Sequence, residues 1–532
     1  MNNGNETYDA VNKAWKSTCK LLFGGEIGNL KEYEKWLSEH VEPIRKEKDS
    51  NSKDVYLAIQ DYCSSAKFTN MADVNFWAKF TPLDINQIKD IDSIVDAVHD
   101  RTGYTGSVVL GNSKAVNRSS NVTDSFNVYD AAKVSDSKNI AYANLIRYDE
   151  NVFGIFEAGE SGHLIRCDMS WRLKRGFNTF MTFESQDCYY TVRTSNCSDC
   201  MFSFGINSKK YAIGNLELPK DKYLQLKAKL LAEIREKLKR DKRIFSVLDI
   251  IANAGTPTIK LAPNANKPRF DIKPINDAFN QTTSIVFGTK LGDINQYSKY
   301  LLKHIDPTYT LKSPLSDEVI YAPGCLYKFK DIHHGLEKRI IPEEEILQIG
   351  NTSVDEDDIK NISIDLGTIS KALSKIAFCT MDAKPGNNIN VSEAAIMADA
   401  IDCYHGYDFT KSKRCAYDFW PRNSEYVFGS SVTWSSQFCL NCYYSKKLTR
   451  CFQVDSCDNC SDLYYSHNCE NVHDSMFCFN VKNLRNAIGN AVLPSEEYKK
   501  IKQMVLAQIA DELETKKDLK WDIYNIGCAK SK

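Results

Sequence analysis

Residues 439–474, cut into twelves, read CLNCYYSKKLTR, CFQVDSCDNCSD and LYYSHNCENVHD, and the chain continues SMFC from 475. Stacked in this way, Leu440, Phe452, Tyr464 and Met476 fall in one column, which extends back through Phe428 and Ala416 to Tyr404. A column 275 residues earlier runs Tyr129, Ala141, Phe153, Ile165, Phe177, Tyr189, Met201, almost the same rung for rung. One position before it stand Cys403, Cys415, Val427, Cys439, Cys451, Leu463 and Ser475. Asn423, Asn459, Asn471 and Asn483 share a further column, and Asn tolerates the left-handed backbone of a tight corner. Identical positions recurring at one short period predict a β-solenoid, in which each coil buries its apolar face against the next. A 12-residue coil has little room for Tyr, Phe and Met, so the expectation is two 12-residue rungs per coil. Adjacent strand residues face opposite ways. One of the two apolar columns therefore points inward and the other packs against something else; the sequence leaves open which.

A longer repeat encloses this one. Residues 23–43, FGGEIGNLKEYEKWLSEHVEP, match residues 287–307, FGTKLGDINQYSKYLLKHIDP, at an offset of 264. Residues 211–223, YAIGNLELPKDKY, match residues 486–498, NAIGNAVLPSEEY, at an offset of 275. Two matches in the same order imply duplication of a whole module. The expected fold is α+β: a tandem duplication of a helical segment, a short β-solenoid and an exit helix. The expected boundaries are a helical segment at 1–118, solenoid at 119–215, exit helix and linker at 216–262, then a helical or mixed segment at 263–390, solenoid at 391–490 and C-terminal helix at 491–532.

Tyr33, Trp36, Leu37 and Val41 recur at helical spacing, with Asn29 as N-cap and Pro43 as terminator. His40 and His304 then fall near a helix C-terminus, where capping of free carbonyls is expected. The runs after Pro219 and Pro494 are charged, amphipathic and rich in helix formers, with Pro placed at the helix start, where its missing N–H costs nothing. The Lys/Arg run at 228–243 reads as a solvated face.

The chain has 532 residues, 68 Lys+Arg against 69 Asp+Glu, and a formal net charge of -1. Such a balance gives no global attraction to nucleic acid or an anionic membrane, and no stretch reaches the length of a membrane span. The polar opening MNNGNETYDAVNKAWK has no apolar signal segment. With 18 cysteines in so long a chain, the expectation is a cytoplasmic protein with free thiols.

Two groups of residues could carry chemistry. Cys457, Cys460, Cys469 and His467 are close enough in sequence to suggest a tetrahedral zinc site. The competing reading is a ladder of small buried cysteines, and no metal or other cofactor is favoured. Asp455, Asp462, His467 and Asp474 could serve as acids and bases on neighbouring rungs, as in β-helix enzymes acting on carbohydrate. They could equally form a polar outer face. P-loop, GxSxG, HExxH and dinucleotide fingerprints are absent from the sequence.

The run NCSDCMFSFGINSKKYAIGNLELPKDKY, residues 196–223, resembles a pattern in uncharacterised microbial proteins, where a Cys/Tyr/Ser-rich repeat array ends in a helix beginning near a Tyr. The second copy departs from it, with Phe479-Asn480 where the first has Phe204-Gly205. The resemblance covers about the last third of each half. It implies the repeat fold and no activity. The expected function is a non-enzymatic scaffold or interaction protein, binding a protein partner or a second copy. The alternatives are a carbohydrate-active hydrolase or lyase and a zinc-stabilised binding module.

Overall fold

The computed structural model describes residues 3–84, 88–263 and 269–528. Mixed α and β structure is built around two ladders of parallel strands, residues 109–217 and residues 389–492, each ended by one short antiparallel strand. Within each ladder residue i pairs with residue i+12: Phe126 with Lys138, Lys138 with Glu150, and Glu150 with Gly162. The second ladder runs likewise, Lys413 with Glu425 and Glu425 with Gln437. This corrects the expectation of two rungs per coil, for which strands would pair at 24. One circuit takes 12 residues.

The backbone shows how so short a circuit closes. Every third residue from Asn121 to Tyr211 and from Asp399 to Asn486 has a positive φ, between 44° and 69°. Each is a corner, and four corners make one circuit. Asn, Asp and Gly fill many of them, at little steric cost. Tyr142, Leu145, Val432 and Phe438 also adopt this conformation, at about 1–2 kcal/mol each. Ladder hydrogen bonds and burial on both faces offset that cost.

The corners also sort the side chains. The residue after each corner points inward, and the one before it points outward. The interior of the first ladder holds Val128, Ala131, Val134, Ile140 and their successors. That of the second holds Cys403, Cys415, Val427, Cys439, Cys451 and Leu463. The Tyr404 and Tyr129 columns face outward, so the bulk that argued for a double-width coil never enters it.

Helices cover those aromatic columns. In the first half α1 (Asn3–Phe23) sets Trp15 against Phe153 and Phe23 against Phe177, with centroids 5.4 Å and 4.8 Å apart. The exit helix α2 (Lys220–Asp241) follows Pro219 as the sequence predicts and lies against α1. In the second half α3 (Lys273–Phe287) sets Phe279 against Phe428 and Phe287 against Phe452, at 5.4 Å and 4.8 Å. The exit helix α4 (Ser495–Lys516) follows Pro494 and lies against α3. The contacts thus recur at the offsets at which the sequence recurs. The Tyr33–Val41 stretch is shorter than its spacing predicts: a 3-10 turn at Leu30–Tyr33 and one α turn at Glu34–Leu37. Asn29 does open it, in a capping box with Glu32.

Between α1 and the first ladder, residues 45–84 and 88–106 form an arm of short strands and a helix, Ile91–Val98. This arm packs on the second ladder: Asn480 Nδ2 donates to Gly103 O at 2.8 Å, and Arg101 donates to Gly489 O at 2.7 Å. The corresponding arm of the second half, residues 308–383, packs on the first ladder. There Asn215 Nδ2 donates to Thr352 O at 3.0 Å, and Val354 N donates to Gly214 O at 3.0 Å. Each half therefore embraces the other.

Cys63 of the first arm is disulfide-bonded to Cys528, 465 residues away, where free thiols throughout were expected. The bond fastens the arm to the tail beyond α4. The other cysteines are free and buried. In denaturant without reductant we expect 16 reactive thiols, rising to 18 on reduction; a count of 18 before reduction would refute the bond. Cys63→Ser should cost about 2–4 kcal/mol.

Candidate functional site: the cleft between the ladders

The residues singled out in the sequence do not converge. Asp455 and His467 face outward from the second ladder and are buried under the first arm. His467 Nδ1 lies 2.7 Å from Asp455 Oδ2, which also accepts from Tyr62 Oη at 2.8 Å. His467 Nε2 accepts from Thr105 N at 2.9 Å. A backbone donor at Nε2 leaves the proton on Nδ1, so the ring is held as one neutral tautomer. This network joins arm to ladder. Asp462 and Asp474 are corner residues of another column, seven residues of the 12-residue circuit beyond Asp455. Asp462 pairs with Arg450 at 2.6 Å and with Lys502 of α4 at 3.4 Å, and Asp474 with Arg485 at 3.6 Å.

Cys457, Cys460 and Cys469 point into the ladder, while His467 points out of it, so one ion cannot reach all four. The thiols have another task. Cys457, Cys460 and Cys469 Sγ donate to the carbonyls two residues back at 3.3, 3.3 and 3.5 Å. Ser436 Oγ does the same at 2.9 Å. Burial pushes the Cys457 thiol well above its ordinary range. Among the described residues no group of three or more His, Cys, Asp and Glu is arranged to hold a metal ion.

His40 and His304, matched in sequence, sit in opposite settings, and neither caps a helix. His40 Nδ1 is 2.5 Å from Asp168 Oδ2, and its Nε2 is 2.7 Å from His333 of the second arm. Burial, reinforced by Arg166, holds its pKa down at about 4. Burial acts in the same direction on His304, but the carboxylates of Asp522 and Asp61, each 3.2 Å from a ring nitrogen, outweigh it and lift the pKa to about 9. The stability His304 contributes is therefore complete below about pH 6.5 and is lost as pH rises through 9. The span corresponds to about 3 kcal/mol. Denaturation at pH 6 and pH 10 should show this difference in the wild type and its loss in His304→Gln; equal pH dependence in both proteins would contradict it. His40 acts the other way, its contribution declining as pH falls from about 6.5 towards 4.

The two ladders meet through outward and corner columns of corresponding faces, running in opposite directions. Glu157 accepts from Tyr407 Oη at 3.0 Å and Trp420 Nε1 at 3.1 Å, whereas Lys133, two circuits earlier, lies over Tyr444, two circuits later. Burial and the neighbouring Asp408 lift Glu157 to about 7. Beside this contact the ladders part around a cavity of about 280 Å³. Its walls include Leu145, Val432, Trp434 and Tyr444, and Phe76 of the first arm overhangs it. A second cavity of about 570 Å³ adjoins it, sharing Met71, Phe76, Leu110 and Lys482.

Arg147 is the central cation of the cleft. Its guanidinium lies 4.5 Å from the ring centroid of Trp420 and 4.8 Å from that of Trp434. Burial and nearby Arg422 lower its pKa to about 10, which leaves it charged at neutral pH. Its side chain forms no hydrogen bond or ion pair with any described residue; Nε is buried without an acceptor. Sequence reasoning missed this group because its columns (Ser135, Arg147, Gly159, Trp171 and Thr410, Arg422, Trp434, Lys446) look irregular. The available signal was the clustering of Trp and Arg at 12-residue spacing in an otherwise apolar or small-residue array.

No protein-family model, curated protein or solved structure matches this chain. Among the described residues no helix is long and apolar enough to cross a membrane.

Proposed function

We propose that the protein is a non-enzymatic binding protein, in which two four-sided β-solenoids of 12 residues per coil act as a rigid scaffold around a ligand cleft. The carrying observation is the contrast between its polar groups. The Asp455–His467 and His40–Asp168 pairs are buried where an arm meets a ladder, and His333 of the second arm pairs with Asp249 of the short helix Val247–Ala252, so these groups hold the fold. The polar residues of the inter-ladder cavity instead stand beside open space, among aromatic rings. A concave aromatic site with a few convergent polar groups is the usual form of a small-ligand site. The parallel ladders supply rigid walls, since each side chain is fixed by rungs above and below.

Tryptophan fluorescence offers a direct test, because Trp420 and Trp434 border the cleft. Titration with a panel of small organic molecules and oligosaccharides should give saturable changes that Trp434→Ala abolishes, with each ligand recovered unaltered. Recovery of cleaved oligosaccharide would replace this reading with the carbohydrate-active one. Binding indifferent to Trp434→Ala would place the site elsewhere.

A further inference from the structure

We infer that the cleft takes a small organic anion, a single carboxylate carried on an apolar or aromatic body, with Arg147 as its anchor. This rests on the binding reading above and adds the ligand's chemistry.

Four observations converge on it. First, the Arg147 guanidinium packs over two indole rings that touch each other, those of Trp420 and Trp434. A guanidinium backed by rings on one side keeps its planar fork of donors free to meet the two oxygens of a carboxylate. Second, the fork is unused. Glu157, Asp408 and Asp149 influence Arg147 through space, yet none forms an ion pair with it. Glu157 is already engaged by Tyr407 and Trp420, Asp408 by Arg422, and Asp149 by the backbone N–H of Ser161. A half-buried cation with no partner costs free energy that folding alone gives no reason to spend. An anion in the cavity would offset it.

Third, size and lining limit the ligand. The space of about 280 Å³ suits a molecule of fragment size. Leu145, Val432 and Tyr444 offer an apolar wall to the part that is not charged. Fourth, the rim limits the charge. Asp458 and Glu470 are neutralised by Lys446 and Lys482. Asp124 and Asp136 also line the cavity with no ion pair among the described residues, as does Lys133 over the Tyr444 ring, and burial together with Asp124 raises the pKa of Asp136. Lys133 offsets one of these two carboxylates, and the other still opposes a second negative charge near Arg147, which favours a carboxylate over a phosphate monoester.

Calorimetric titration of the full chain with benzoate, phenyl phosphate and benzyl alcohol decides the matter. These probes share a ring and differ in charge. Benzoate should bind best and phenyl phosphate more weakly. Arg147→Met should weaken benzoate by about tenfold or more, the worth of one charge-assisted hydrogen-bonded pair, and leave benzyl alcohol nearly unchanged. Benzyl alcohol binding as tightly as benzoate, or benzoate insensitive to Arg147→Met, would overturn the anion assignment while leaving a binding cleft in place. Tighter binding of phenyl phosphate would overturn the carboxylate in favour of a phosphate ester. Failure of all three probes to bind would overturn both the assignment and the cleft. Near-ultraviolet circular dichroism establishes that the variant is folded. Should Arg147→Met not fold, Arg147→Lys keeps a cation beside the indoles without the fork. A selective loss of benzoate affinity then supports the inference, and an unchanged ratio of benzoate to benzyl alcohol overturns it.

Discussion

Replacing Gly205 with valine should cost the protein at least about 4 kcal/mol in urea denaturation, among the largest effects a single substitution produces. Gly205 is a corner of the first ladder with φ +68°. A Cβ built there would stand 1.9 Å from Ile346 O and 2.7 Å from Ile346 C, both backbone atoms of the second arm. Gly350 meets the contact from the other side, its own Cβ position lying 2.0 Å from Gly205 O. Neither partner can yield by a rotamer change, so the arm must lift from the ladder. The backbone conformation adds a further penalty for a β-branched residue. Gly288 provides the control: its φ is +83° but nothing lies within 4 Å of a built Cβ. Gly288→Asn should therefore cost no more than about 1 kcal/mol. Equal stability of the two variants would mean that the second arm does not seat on the first ladder as described. At the corresponding corner of the second ladder stands Asn480, the position at which the second copy departs from the Phe-Gly pattern. Its Nδ2 donates to Gly103 O of the first arm, and its Oδ1 accepts from Asn468 Nδ2 at 2.8 Å. At this corner one half joins arm to ladder by close backbone approach and the other by an amide hydrogen bond.

The second large effect is expected at Asp455. Removing its carboxylate strands Tyr62 Oη and His467 Nδ1 in a site that excludes water, because both donors point at Asp455 Oδ2. Asp455→Ala should cost about 3–5 kcal/mol, the range for breaking a buried hydrogen-bonded pair from one side. Asp455→Asn retains an acceptor and should cost about 1–2 kcal/mol. Hydrogen exchange separates this account from general destabilisation. The Thr105 amide, bonded to His467, should lose protection before the amides of the ladder core. Were all protected amides to exchange together, the network would not be the local joint between arm and ladder. The same experiment bears on catalysis. Asp455 and His467, attractive as an acid and a base in the sequence, are buried and hydrogen-bonded to one another.

A good deal of this could be read in the amino-acid order, for a physical reason. Parallel in-register stacking places chemically similar residues above one another, so a 12-residue ladder writes its period directly into the chain. The exit helices were equally legible, since Pro219 and Pro494 mark their starts and the following runs are strong helix formers. The size of the circuit was not. It depends on left-handed corners at every third residue, and half of that signal is hidden because Tyr142, Leu145 and Phe438 occupy corners as Asn and Gly do. A residue's bulk also says nothing of whether it lies before a corner or after it, and so the outward aromatic column could be taken for the core. The cysteines show the same limit: their spacing suits a metal, and only the inward direction of Cys457 beside the outward direction of His467 separates them.

What the sequence by itself determined is therefore local and repetitive: the 12-residue period, the two matching halves, the exit helices and the residues that make up each column. What only the tertiary structure decided is relational. It turns the columns inward or outward, seats each half's arm on the other half's ladder, gives His40 and His304 opposite surroundings, and brings Arg147 of one ladder over Trp420 and Trp434 of the other. A repeat is a property of neighbours along the chain and survives in its order. A joint between residues 273 and 287 positions apart arises from how two rigid surfaces meet, and no local preference of Arg or Trp records it.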